Sequence, residues 1–165
     1  MNAPPVVPLV DLLRTELSGY GGLLALFDQQ QGQLWRREVQ PVADTSLAIE
    51  TLAVEVSSHR LAREEWVRQF AVQHACPADH SLRRLLPLFP ADQQSLLAAL
   101  IEEINHLLHR VRRRARQNHL ILARAIELHQ ETLALLLPGR RPRTYAATGR
   151  VAPGAEPALS LHVAG

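Results

Sequence analysis

DQQSLLAALIEEINHLLHRVRRRARQNHLILARAIELHQETLALLL, residues 92–137, runs without a proline or glycine, so a single long helix is expected there. Its apolar positions Leu97, Ile101, Ile104, Leu108, Val111, Ala115, Leu122 and Ala125 recur at spacings of four, three and seven, the seam of a coiled coil. A second stripe, Leu100, Leu107, Ile121, Leu128 and Leu135, lies beside the first. Two stripes on one helix present more apolar surface than one neighbour covers. Residues 97–111 suit packing between two other helices of the same chain. Beyond Ala115 the surplus face is open to a partner.

Upstream, Leu13, Leu17, Tyr20, Leu24, Phe27 and Leu34 follow helical spacing and predict a helix from Leu9 to about Trp35. Gly19, Gly21 and Gly22 interrupt it. The favoured reading is a weakened or bent helix, and the alternative is close approach of a neighbouring helix. Val39-Gln40-Pro41 is expected to end this helix, with Asp44 or Thr45 capping the next. Leu47, Leu52, Val56, Leu61, Trp66 and Phe70 then carry a stripe to about His74. The short gap implies an antiparallel helical hairpin. Residues 75–94 hold three prolines and read as a joint, with one short helix between Ser81 and Leu86. The fold expected is therefore all-α, an antiparallel three-helix, coiled-coil-like bundle over 9–137 with a long C-terminal helix. A disordered, proline-rich 1–8 precedes it and a flexible tail, 138–165, follows. Leu159, Leu161 and Val163 alternate in that tail and would suit an added strand on another surface.

Composition agrees with a helical chain. Hydrophobic residues make up 47% and aromatics only 4% of 165 residues, so Leu, Ala, Val and Ile must build the core. All eighteen basic residues are arginine, and sixteen acids leave a net charge of +2, a weak pull toward nucleic acid or membrane. One cysteine, Cys76, forms no internal disulfide and suits a reducing compartment. The N-terminus has no basic stretch before its apolar residues, and no apolar run spans a bilayer, so the reading is cytoplasmic, with no stable membrane insertion. His74, Cys76, Asp79 and His80 have compact spacing but no fourth ligand pair follows, so a loop is expected rather than zinc. His106 and His109 are read as polar helix-face residues. No phosphate loop, nucleophile elbow or carboxylate pair occurs, and no enzyme activity or cofactor is expected. The arginine-rich run Arg110–Arg116 reads as a solvated face paired with acids such as Glu64, Glu65, Glu102 and Glu103 rather than a nucleic-acid site. Asn118 on the seam either fixes register or marks where partner contact begins.

The segment Asn118–Leu137, then Pro-Gly, then Thr144-Tyr145-Ala-Ala-Thr-Gly149, resembles the C-terminal signature of FlgN-type flagellar export chaperones. Leu13, Glu16, Tyr20, Leu23 and Leu24 sit at fitting intervals in the first helix. The resemblance implies a non-enzymatic helical bundle that binds the C-terminal parts of the two hook–filament junction proteins, FlgK and FlgL. It also implies delivery of these clients to the cytoplasmic face of the flagellar type III export gate. Carried over, the client-binding residues are Asn118, Leu122, Ile126, Leu133 and Leu136, and the export-gate contacts are Tyr145 and Gly149. The alternative is a coiled-coil scaffold that self-associates through the same seam.

Overall fold

The computed structural model describes residues 6–136, and every regular element among them is helical. Helix α1 spans Val6–Arg36, α2 Val39–Gln73, α3 Leu82–Leu85 with a 3-10 turn at Leu86–Leu88, and α4 Ala91–Leu136. The chain divides into two compact units, one ending at Ala123 and one beginning at Arg124. In the first unit α1 and α2 run antiparallel, with Glu16 against Arg63, Gly19 beside Val56 and Gln30 bonded to Ser46. Helix α4 begins at the end where α2 finishes and runs parallel to α1, setting Arg114 against Asp28 and Asn118 against Phe27. This is the all-α three-helix arrangement that the apolar periodicity predicts.

Helix boundaries differ from the sequence reading at the prolines. Pro8 lies in the first turn of α1 and Pro41 in the first turn of α2, where backbone N–H groups have no intrahelical acceptor to lose. Pro41 therefore opens α2 instead of ending α1. The break sits at Arg37, whose φ of 58° is left-handed. Arg37 N donates to Leu34 O and Glu38 N to Gln33 O, which satisfies the last carbonyls of α1. Asp44 and Thr45 lie inside α2, so neither caps it. Ala75, φ 53°, closes α2 in the same way, with Cys76 N donating to Ala71 O.

The glycines of α1 overturn the favoured reading of a bend. A Cβ at Gly19 would lie 2.5 Å from Val56 Cγ2, and one at Gly22 would lie 3.0 Å from Leu52 Cδ2. A Cβ at Gly21 would meet nothing. Gly19 and Gly22 are thus spaced to let α2 approach α1, and Gly21 faces away. Gly19→Ala is expected to destabilise the fold by about 1–3 kcal/mol through overpacking. Gly21→Ala should stabilise it by about 0.5–1 kcal/mol, because the helix loses a flexible residue at no steric cost. Urea denaturation of the two variants reads both signs.

The α2 stripe needs a second correction. Thr45, Val56, Val67, Phe70 and Ala71 are buried, whereas Leu47 and Leu61 are exposed together with Val54. At 100° per residue Leu47, Val54 and Leu61 fall about 140–180° from Val56, on the outer side. Leu9, Leu13, Leu85 and Leu97 form the most deeply buried aliphatic layer. At the joint, Phe70, Trp66 and Phe89 stack on one another, with ring centroids 5.3 Å (Trp66–Phe70), 4.6 Å (Phe70–Phe89) and 6.4 Å (Trp66–Phe89) apart. His74 leans on Phe70 with its Nδ1 2.8 Å from Phe70 O, so this histidine serves the end of α2. Among the described residues no group of three or more His, Cys, Asp or Glu side chains is placed to hold a metal ion.

One charged pair lies within the apolar stripe of α1. Glu16 is 1% exposed, and both its carboxylate oxygens accept from Arg63, at 2.5 Å from Nε and 3.5 Å from Nη2. Tyr20, one turn on, is buried, and desolvation, reinforced by the Glu16 carboxylate, raises its phenol above the usual 10.0. A group whose proton is held more tightly in the folded chain stabilises the fold below its unfolded pKa. That contribution is lost as pH rises through the folded value. Stability should therefore fall above about pH 10 and Tyr20→Phe should flatten that decline, as urea melts from about pH 8 to 11 would record.

Candidate client-binding face

Leu97, Ile104, Val111 and Asn118 are the buried residues of α4 and recur every seven residues, which defines its inward seam. Asn118 closes that seam with a polar layer. Its Nδ2 donates to Phe27 O at 2.7 Å and to Gln30 Oε1 at 2.9 Å, and Gln30 Nε2 donates to Ser46 Oγ at 3.0 Å. Gln33 and Thr45 are buried as well. Only one lateral register of α4 on α1 allows these bonds, so Asn118 performs the register role. With 3% of its surface exposed it stands inside the bundle, whereas the resemblance counts it among the client-binding residues.

From that layer onward the apolar residues of α4 turn outward. Leu120 and Leu122 are exposed in the first unit. In the second unit Ile126, Leu128, Leu133, Leu135 and Leu136 are 48–83% exposed. Within this stretch Ile126 and Leu133 share one side of the helix, and Leu128 and Leu135 share the opposite side. Between them lie His129, Gln130, Glu131 and Thr132, all exposed. Leu122, Ile126, Leu133 and Leu136 are thus exposed on α4. Tyr145 and Gly149, the expected gate contacts, and the tail strand at 159–163 lie outside the described residues.

Chemically the face offers aliphatic surface, and burying apolar area is the dominant favourable term in association. The sequence reading missed the Glu16–Arg63–Tyr20 cluster as a structural unit. The signal was available, because Glu16 falls in step with Leu9, Leu13, Tyr20 and Leu24, where a carboxylate needs a partner.

The described residues form an all-α bundle whose last helix ends in exposed aliphatic side chains. The FlgN protein family matches residues 8–153, and the chain belongs to that family. It is accordingly a flagellar export chaperone, from a family of chaperones rather than enzymes. Searches of curated proteins and of solved structures returned no match. No described helix is long and apolar enough to cross a membrane.

Proposed function

We propose that this chain binds the C-terminal regions of the hook–filament junction proteins FlgK and FlgL in the cytoplasm and delivers them to the flagellar type III export gate. The observation that carries this reading is the exposed Leu and Ile set at the end of α4, which has the spacing to take up the apolar side of an amphipathic segment. Burial of about 600 Å² of apolar surface would contribute about 15 kcal/mol gross. Ordering the client offsets much of that, so the complex can be tight enough to hold and weak enough to release. In this reading Tyr145 and Gly149 contact the gate. A tyrosine is a suitable anchor because it brings a large amphipathic ring with little side-chain entropy to lose.

The test is calorimetry of the full chain against the C-terminal segments of FlgK and FlgL. One-to-one binding with micromolar or tighter affinity is expected. Tyr145→Ala should leave that affinity unchanged and weaken docking to the cytoplasmic domain of the gate. Absence of binding to both segments would refute the client assignment, and equal loss of both activities in Tyr145→Ala would refute the division of labour.

A further inference from the structure

From Ile104 to Ile126 the chain carries six arginines and not one aspartate or glutamate, in a protein whose total charge is only +2. Along α4 this is about 35 Å of helix at 1.5 Å per residue. His106, His109, Arg110, Arg113 and Arg116 are exposed, and the helical turn sets them opposite the buried Ile104 and Val111. His106, His109, Arg110 and Arg113 line one shallow surface recess.

Of the four acids expected to neutralise this run, three are engaged elsewhere, and Glu103, exposed one turn before His106 and Leu107, makes no ion pair among the described residues. Glu64 faces Arg60 at 3.8 Å, Glu65 binds Arg68 at 2.7 Å and Glu102 binds Arg83 at 2.9 Å. Of the six arginines two are paired, Arg114 to Asp28 at 2.5 Å and Arg124 to Glu127 at 3.1 Å. Arg110, Arg112, Arg113 and Arg116 make no ion pair among the described residues. Arginines three and four apart on a helix repel one another, so gathering them opposes folding. An external carboxylate partner would relieve that repulsion at Arg110, Arg112, Arg113 and Arg116.

We infer that the His106–Arg116 face of α4 docks an acidic helix of a partner protein, separately from the aliphatic client face. Guanidinium groups pair with carboxylates in a two-point geometry, and one helix side supplies them at the spacing of another helix's Glu residues. Leu120, exposed one turn beyond Arg116, adds an apolar contact at the end of the patch. A membrane surface would require aliphatic or aromatic residues along the whole face. Nucleic acid would require base-stacking or base-reading side chains and a larger positive excess. The face has no aromatic residue, and its length suits a few helical turns.

The probe is a fluorescent acidic helical peptide of about six turns, with Glu repeated three and four residues apart along one side. Its anisotropy would be followed with the full chain in about 50 mM salt, where surface charge is least screened. Saturable binding is expected, weakened by added salt and reduced about tenfold or more in Arg110→Glu/Arg113→Glu. Arg110→Gln/Arg113→Gln, which introduces no new repulsion within the helix, should show a smaller loss in the same direction. Leu133→Asp and Arg124→Gln should bind the peptide as wild type does. Wild-type binding by both arginine double variants would overturn the inference, as would loss in Leu133→Asp alone. Tighter binding of single-stranded RNA, or of phosphatidylglycerol vesicles, through the same arginines would also overturn it.

Discussion

Arg63→Met should lower folding stability by about 3–5 kcal/mol, a large fraction of what holds a domain of this size together. Glu16 is buried on the apolar side of α1, and Arg63 is the partner of both its oxygens. Methionine fills much of the arginine's volume, so the loss comes mainly from a carboxylate left without its cation in the α1–α2 interface. Glu16→Leu together with Arg63→Met should recover most of the deficit, because two apolar side chains of similar volume replace the pair. The pair then contributes orientation more than stability. Only one antiparallel register of α1 on α2 brings Glu16 and Arg63 together while Gly19 meets Val56. Urea denaturation followed by circular dichroism decides this. A loss below about 1 kcal/mol in Arg63→Met would mean that the pair behaves as a surface salt bridge.

Much of the fold could be read from periodicity, because α4 has to bury Leu97, Ile104 and Val111 whatever surrounds it. The resemblance at Asn118–Gly149 carried the family. Two kinds of information were hidden. Gly19 and Gly22 mark a helix contact only once α2 is known to pass over them, since their own contribution to a pattern is the lack of a side chain. The heptad of Leu47, Val54 and Leu61 looks like a core stripe, yet α2 buries the side holding Val56, Val67 and Phe70. Spacing gives a face and its period, and packing decides which of two faces turns inward. Asn118 admits two readings from its position on the seam for a related reason. A polar residue on a seam is satisfied only by groups far away in sequence, here Phe27 O and Gln30, 91 and 88 positions distant. The prolines misled for a local reason, because a proline that would break a helix interior is tolerated in a first turn.

The second large effect is functional and separates the two parts of α4. Leu133→Asp should weaken client binding by about 100-fold or more, since a carboxylate placed in an apolar interface loses water without gaining a partner. Leu133 is 56% exposed in the free chain, so folding stability should change by no more than about 0.5 kcal/mol. Asn118→Ala should do the reverse. It removes the donor to Phe27 O and Gln30 Oε1 inside the bundle and should cost about 1–3 kcal/mol of stability. The folded fraction of that variant should still bind the client. Calorimetry with the FlgK and FlgL C-terminal segments, paired with urea melts of both variants, gives the four values needed. If Leu133→Asp proved as destabilising as Asn118→Ala, the end of α4 would be part of the packed core. If it bound the client with unchanged affinity, the client would use a different apolar surface. The exposed Leu47–Val54–Leu61 heptad on α2 would then be the next face to substitute, because it is the other exposed stripe whose spacing matches an amphipathic helix.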